Sequence, residues 1–218
     1  MVSVIDKKKV EMIISGIPSY RRLKRRLEQY PTPSWMVAHV LWSAFMNNDV
    51  EGKIVADLGC GDGRLLYASL ILGAKLGVCV DVDEEVLKHA ITVFNELFTE
   101  YTGRVLFIVG DVSRLSIDGV DTVVMNPPFG VVRGNRGLDL VFLRKALSLA
   151  RSVYSIHKYS PGLVKILREV ALSYNAELVS MEIMDFEIPM VFETHKSRIY
   201  RFKSLFIVLR KVNTVERR

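Results

Sequence analysis

A short apolar run, Ile54–Leu58, leads directly into a glycine-rich turn that reads Gly59-Cys60-Gly61-Asp62-Gly63-Arg64. Glycines at alternate positions allow a tight turn and bring bare backbone against a ligand, because no Cβ intervenes. The dinucleotide fingerprint GxGxxG would place its third glycine at position 64, which is arginine here. The turn therefore predicts a strand-to-helix junction at a ligand site and favours a ligand without a pyrophosphate. A purely structural turn is the alternative.

Apolar runs and stretches of helical spacing alternate along most of the chain. We predict strands over residues 54–58, 76–81, 105–109, 122–126 and 153–156, and helices over 65–72, 84–101, 139–150 and 161–174. Continuously apolar strands suit a sheet covered on both faces, and strand–helix alternation indicates parallel pairing. Two further runs, 177–186 and 203–210, have only a long basic connection between them. The prediction is an α/β, Rossmann-like fold: a seven-stranded, mostly parallel sheet with a C-terminal antiparallel hairpin.

The first 48 residues are predicted as an N-terminal helical region attached to a core over 49–218, the whole chain forming one domain. Apolar residues recur at helical spacing as far as residue 30, with a break near Gly16–Pro18. Pro31 and Pro33 end this helical pattern, since proline neither donates the helical bond nor lets its predecessor stay helical. Helix resumes over about 34–47.

Composition narrows the class of protein. Half of the 218 residues are hydrophobic and a quarter are charged, which is typical of one globular domain. The net charge of +6 favours a polyanionic partner. No apolar run approaches the roughly 20 residues of a membrane span, and no secretion signal is evident, so we expect a cytoplasmic protein without a membrane partner. Cys60 and Cys79 form no CxxC pair, so we expect reduced thiols, with neither a disulfide nor a metal site.

Carboxylates follow the second and third predicted strands. Asp81 closes the second strand, where open α/β sheets bind ligands, and is a candidate for hydrogen bonds to a ribose diol. Asp111 is a candidate acceptor for an adenine amino group, and Val112 offers its backbone amide. Asp83 directly precedes Glu84 and is better interpreted as a helix cap.

The motif Asn126-Pro127-Pro128-Phe129 ends the fourth predicted strand. Two prolines fix the backbone and remove two donors, leaving the Asn126 amide oxygen and the Pro127 carbonyl as acceptors beside the flat Phe129 ring. A planar exocyclic amine, with two N–H donors and a ring that stacks, complements this set. Held in this way, its nitrogen lone pair is directed at an electrophile by positioning and electrostatics, with no metal required. An ordinary strand-ending turn is the alternative.

Six segments together resemble a known family: residues 28–32 (Glu-Gln-Tyr-Pro-Thr), 55–61, Asp81, 111–112, 124–130 and 153–158. The chain resembles the class I N6-adenine methyltransferases that use S-adenosylmethionine (SAM) and carry an Asn-Pro-Pro-Phe motif. It is most similar to the archaeal and eukaryotic methyltransferase-like 5 group, which methylates one adenosine of small-subunit ribosomal RNA. The resemblance implies the class I methyltransferase fold, SAM as cofactor and S-adenosyl-L-homocysteine (SAH) as product.

The resemblance also implies roles for individual residues. Asn126, Pro127, Pro128 and Phe129, hereafter the clamp, would hold the target base. Gln29 would reach over the cofactor, and contacts at Asp62 and Arg64 would use backbone atoms. The predicted cofactor-binding residues are Gln29, Thr32, Asp57, Gly59, Gly61, Asp62, Arg64, Asp81, Asp111 and Val112.

Basic residues near these motifs are candidates for RNA contacts. Arg133 and Arg136 follow the clamp within ten residues, in a segment, 131–137, whose glycines suggest a mobile lip. The run Arg21–Arg26, with five cations in six positions, and Lys158 and Lys196 are further candidates. His157 is either RNA-facing or structural. Each basic cluster is alternatively an ordinary solvated surface.

Further expectations concern the partner and the alternatives. The resemblance implies a small zinc-binding activator protein that docks on an edge strand or an exposed apolar patch. One alternative is a protein-glutamine N5 methyltransferase, which also acts on a planar NH2 group; Phe129 and the basic surface favour nucleic acid. Another is a noncatalytic, SAM-binding RNA-binding or ribosome assembly factor, which would have no need of an intact clamp. A nicotinamide-dependent dehydrogenase is disfavoured by Arg64.

Overall fold

A computed structural model describes residues 5–189 and 199–212 of the chain. The strands form a single sheet in the order β3-β2-β1-β4-β5-β7-β6. The first five strands are parallel, and β7 is antiparallel to both of its neighbours. The predicted seven-stranded α/β fold with a closing hairpin is confirmed. The strands are β1 Ile54–Leu58, β2 Leu76–Asp81, β3 Val105–Val109, β4 Thr122–Met125, β5 Ser152–Lys158, β6 Ala176–Pro189 and β7 Ile199–Lys211.

Helices cover both faces of the sheet, as the two-sided apolar strands require. The apolar residues of α1 to α4 pack in one core on one face, and those of α5 and α6 pack in a second core on the other. Asp83 caps α4 as predicted, its carboxylate accepting from the Glu85 N–H. The helices are α1 Lys7–Ser15, α2 Ser34–Met46, α3 Arg64–Ile71, α4 Glu84–Leu97, α5 Leu138–Leu149 and α6 Leu163–Ser173.

The helix predicted to continue to residue 30 is wrong. Beyond α1, residues 17–33, hereafter the N-terminal segment, contain one 3-10 turn at Arg25–Leu27 and are otherwise nonhelical. Glu28 adopts a left-handed backbone with φ of 52°, which stops the turn. The apolar side chains whose spacing suggested a helix, Tyr20, Leu23 and Leu27, line a cavity instead.

The C-terminal hairpin is longer than predicted. Its ladder continues to the pair Pro189↔Ile199, so the ends of the predicted loop 187–202 are strand. The ion pair Glu187–Arg201 lies within this extension, and Asp185–Lys203 directly precedes it. Because the pairing of β5 with β7 ends at Lys158↔Ser204, residues 185–189 and 199–203 project beyond the carboxyl edge of the sheet. Lys196 lies outside the described residues.

The expectation of two reduced thiols is also wrong, because Cys60 and Cys79 form a disulfide. β1 and β2 are neighbours, with Asp57 paired to Cys79, and the Cys60 N–H donates to the Val80 carbonyl. This brings the two Cα atoms to 5.5 Å although 19 positions separate them in sequence. Motif spacing alone therefore gave no signal for the pair.

Among the described residues, no helix is both long enough and apolar enough to cross a membrane. No group of three or more His, Cys, Asp or Glu side chains in the described ranges is arranged to hold a metal ion.

Candidate functional site

A cavity of about 260 Å³ lies at the carboxyl ends of β1, β2, β3 and β4. The strand order reverses between β1 and β4, which is where open α/β sheets bind ligands. The N-terminal segment contributes a large part of the wall. The lining includes Tyr20, Leu23, Leu27, Glu28, Gln29, Thr32, Gly59, Cys60, Gly61, Asp62, Arg64, Asp81, Gly110, Asp111, Val112, Asn126, Pro128, Asn135, Leu138 and Phe142.

The glycine-rich turn forms the floor of this cavity. Gly61 has a φ of 54°, and a Cβ at this position would meet no atom within 4 Å. Glycine is thus favoured there by its backbone conformation, and it leaves bare backbone facing the cavity. At Gly63 the limit is space as well, since a Cβ would lie 2.6 Å from the Tyr67 ring.

Two carboxylates occupy the strand ends where the sequence placed them. Asp81 accepts hydrogen bonds from the backbone N–H groups of Gly61 and Asp83, both at 2.9 Å. Its burial raises its pKa, and these donors only partly oppose that effect. Asp111 is exposed and accepts from Ser113, which lowers its pKa. Each carboxylate retains acceptor capacity toward a ligand in the cavity.

Asp57, predicted to contact the cofactor, lies behind the turn and is only 1% exposed. Its Oδ2 accepts from the Leu66 N–H at the start of α3. Burial raises its pKa well above the ordinary value. Its Oδ1 is buried without a hydrogen-bond partner among the described residues, and Asp57 is not part of the cavity lining, so its contact with the cofactor stays a prediction.

Asp62 and Arg64 line the cavity with their side chains already engaged. Arg64 donates to Asp62 Oδ2 at 2.9 Å and to the backbone carbonyls of Ile14 and Ile17. The arginine thus ties the glycine turn to the N-terminal segment. That ligand contacts at these two positions use backbone atoms stays a prediction.

The side chain of Gln29 is likewise hydrogen-bonded to other groups of the protein. Its Oε1 accepts from the Lys24 N–H at 2.7 Å, and its Nε2 donates to Asp83 Oδ2 at 2.8 Å. Lys24 forms ion pairs with Asp83 and Glu85. Sequence reasoning recognised Asp83 only as a cap and missed that it also anchors the segment above the cavity.

Thr32 orients the first residue of the clamp. The Nδ2 of Asn126 donates to Thr32 Oγ1 at 3.0 Å. Asn126 Oδ1 is buried and has no hydrogen-bond partner among the described residues. A buried acceptor without a partner is costly unless a ligand supplies a donor, so this oxygen marks a binding position.

The rest of the clamp is rigid. Pro128 lines the cavity. Phe129 is 9% exposed and packs against Tyr30, Phe186 and Phe202, with ring centroids 5.4–5.6 Å from its own. The ring predicted as a flat face for a base is thus largely covered and braces the loop against the projecting hairpin.

The predicted RNA-contacting arginines lie beside the cavity. Arg133 and Arg136 are exposed, in and next to a 3-10 turn at Arg133–Asn135. Asn135 Nδ2 donates to the Arg26 carbonyl at 3.0 Å, which ties this turn to the N-terminal segment. Two clusters that are distant in sequence thereby become one basic surface, defined here as Arg25, Arg26, Arg133 and Arg136. Segment 131–137, predicted as a mobile lip, is bonded down at Val132 and Asn135.

The residues at the end of β5 have different environments. His157 is fully buried between Ser155 Oγ at 2.8 Å and Asp139 Oδ2 at 3.3 Å, so its role is structural. Lys158 Nζ lies 5.7 Å from the centre of the Phe202 ring, beside the hairpin. Lys158 thus lies beside the hairpin, separately from the four arginines of the basic surface, and its contact with RNA stays a prediction.

Several lining residues escaped prediction, above all Glu28, Leu138 and Phe142. Glu28 opens the first segment of the family resemblance, and that was its only signal. The two apolar residues belong to α5 and are indistinguishable in sequence from ordinary core positions.

Comparison with known proteins accords with this geometry. Residues 37–150 match the family model of the methyltransferase small domain. The rRNA N(6)-adenosine-methyltransferase Mettl5 of Drosophila melanogaster is 36% identical over 203 residues, covering 88% of this chain and 90% of that protein. The METTL5 protein of Danio rerio is 32% identical, with 88% and 92% covered. The crystal structure of a proposed RNA methyltransferase from Pyrococcus horikoshii has a TM-score of 0.84 at 34% identity, covering 96% and 99%.

The resemblance inferred from six short segments is confirmed by these matches. The matched residues 37–150 contain the glycine-rich turn, both acidic strand ends and the clamp. The relatives extend the similarity across nearly the full length of the chain. The chain belongs to the methyltransferase small domain family, within the group of rRNA N6-adenosine methyltransferases.

Proposed function

We propose that the protein methylates N6 of an adenine in RNA, with small-subunit ribosomal RNA as substrate and SAM as methyl donor. The observation that carries the proposal is Asn126 Oδ1, a buried acceptor without a partner among the described residues, in the cavity at the switch point of the sheet. The names of the two curated relatives, both rRNA N6-adenosine methyltransferases, support the same reaction.

The lining residues fit the cofactor. Bare backbone at Gly61 permits close approach, while Asp81 and Asp111 offer acceptors for the hydroxyl and amino groups of a nucleoside. SAM, when bound, supplies an electrophilic methyl group on a sulfonium. These residues would hold its nucleoside part, with the glycine turn beneath it.

The clamp acts on the target amine by positioning. Asn126 Oδ1 accepts one N–H of the adenine amino group, and the Pro127 carbonyl is the proposed acceptor for the other. Thr32 holds the amide so that its oxygen, and not its nitrogen, remains available. Fixing both N–H groups directs the nitrogen lone pair at the methyl group, and the nitrogen releases its proton after transfer. His157 has no part in this step because it is buried in its own hydrogen bonds.

The basic surface supplies the contacts for RNA. Exposed arginines bind phosphates, which positions a strand without reading its sequence. A paired adenine would have to leave its stack at a cost of about a few kcal/mol, so a single-stranded or loop adenine suits this site.

Two assays test the proposed function. The protein with SAM should place 6-methyladenosine on small-subunit ribosomal RNA, detected by mass spectrometry of RNA digests, and Asn126→Ala should abolish this while retaining SAH binding. Methylation of a release factor in place of RNA would favour the glutamine methyltransferase. A ribosome assembly defect in cells lacking the protein that Asn126→Ala fully rescues would favour the noncatalytic assembly factor.

The partner we propose is a small zinc-binding activator protein that docks on the outer edge of β3. This edge has no strand beside it in the described sheet, and Leu106 on it is 52% exposed. Leu106→Asp should abolish copurification with the coexpressed activator. Met181→Asp, on the opposite edge strand β6, is the control and should not. We place the complex in the cytoplasm, with the ribosomal RNA.

A further inference from the structure

Glu28 occupies an unusual position in the cavity wall. Its backbone is left-handed, with φ of 52°, a conformation that costs energy for a residue with a Cβ. It is nevertheless only 7% exposed and lines the cavity beside Gln29. A charged residue is rarely buried without a partner, so a hydrogen-bond partner must be identified for each carboxylate oxygen.

One oxygen is fully used within the protein. Oε1 accepts from the Val132 N–H at 2.8 Å and from Asn135 Nδ2 at 3.1 Å. These bonds hold the segment after the clamp against the N-terminal segment. Oε2 is buried and has no hydrogen-bond partner among the described residues. An unpaired carboxylate oxygen in such a place is costly, and a bound cationic donor would offset that cost.

The charges around the cavity show which kind of donor is missing. Among the described residues, the one cationic side chain in the lining is Arg64, whose guanidinium is occupied by Asp62 and by the N-terminal segment. Asp81 already accepts two backbone N–H groups. Among the acids that line the cavity, Glu28 is the one with a buried carboxylate oxygen that lacks a hydrogen-bond partner in the described part of the chain, and no lining cation pairs with it there.

We propose that Glu28 Oε2 accepts a hydrogen bond from the α-ammonium group of bound SAM. The inference rests on the proposed function, which puts the nucleoside at Asp81 and Asp111 and the transferred methyl at Asn126. The amino-acid end of the cofactor then lies on the side of the N-terminal segment, where Thr32 and Glu28 are four residues apart and bond to the clamp and to the segment after it. An ammonium is the one strong cationic hydrogen-bond donor on the cofactor.

The test is a comparison of two ligands on two proteins. SAH carries the ammonium group, whereas 5′-methylthioadenosine has the same nucleoside and sulfur without the amino-acid part. Glu28→Gln retains an oxygen for Val132 and Asn135 but removes the charge. By isothermal titration calorimetry we expect Glu28→Gln to bind SAH about tenfold more weakly or worse, about 1.4 kcal/mol, and 5′-methylthioadenosine with unchanged affinity. Glu169→Gln, an exposed charge on α6, is the matched control and should leave both affinities unchanged.

Each other outcome overturns the inference. Wild-type affinity of Glu28→Gln for SAH would show that Oε2 does not contact the ammonium. Equal losses for both ligands would assign Glu28 to the shape of the cavity. A raised KM for RNA with unchanged SAH affinity would assign it to the substrate. If the wild-type protein bound neither ligand, the proposed function itself would fail.

Discussion

Replacing Thr32 by valine removes the hydroxyl that accepts the Asn126 amide N–H and preserves the shape of the side chain. A neutral hydrogen bond contributes about 1 kcal/mol, and a buried N–H left unpaired costs about 1–3 kcal/mol. Without this hydrogen bond, the Asn126 amide would no longer favour the orientation that presents Oδ1 to the target amine. Because about 1.4 kcal/mol corresponds to a factor of ten in rate, kcat should fall about 5- to 150-fold.

The assay separates this role of Thr32 from direct cofactor binding. Methyl transfer to ribosomal RNA is measured at saturating SAM, and SAH affinity is measured separately by calorimetry. Thr32→Val should lower kcat and change SAH affinity by about threefold or less, because Thr32 acts through Asn126. Thr32→Ser keeps the hydroxyl and should retain most of the activity. A Thr32→Val protein with wild-type kcat and weakened SAH binding would refute the reasoning and assign Thr32 to the cofactor.

Three other predictions follow from the structure. The disulfide joins residues 19 positions apart, so the Cys79→Ala protein should be about 3 kcal/mol less stable, with a Tm lower by about 6–12 °C in thermal denaturation. Two titratable thiols in the wild-type protein, unfolded without reductant, would contradict the pairing of Cys79 with Cys60. Replacing Arg133 or Arg136 by alanine should weaken RNA binding and reduce the slope of log K against log salt by about one per arginine, measured by fluorescence anisotropy, without changing SAH affinity. Burial raises the pKa of Asp57, so the native state keeps this proton to higher pH than the unfolded state, which ionises near about 4. The stability that protonated Asp57 contributes is therefore lost as pH rises from about 4 through its native pKa. Asp57→Asn should reduce this fall of Tm with pH, and an unchanged dependence of Tm on pH would contradict the assignment.

The sheet was the most predictable part of the chain. The bounds of β1, β2 and β3 match the prediction, because continuously apolar, β-branched runs between turn residues have few other solutions. The hairpin was underestimated because Glu187 and Arg201 look like loop residues in sequence. They become strand residues only when they pair with each other across the hairpin.

The N-terminal segment was the least predictable part. Tyr20, Leu23 and Leu27 carry helical spacing because they cover a cavity, and periodicity does not distinguish a lining from a helix face. The partners that fix the segment are distant in sequence: Thr32 bonds 94 positions away and Glu28 more than 100 positions away. The clamp itself was recognised because its chemistry is contained in four consecutive residues.

The long reach of the N-terminal segment has a consequence for how the protein is made. This segment is synthesised before the residues that hold it in place. Its hydrogen-bond partners Arg64, Asp83, Asn126 and Asn135 all follow it in the chain, as does Phe186, which packs against Tyr30. A nascent chain that ends before Asn135 therefore lacks part of the contacts that close the site above the cavity. Starting the polypeptide at residue 49 would keep every strand of the sheet and discard those contacts altogether.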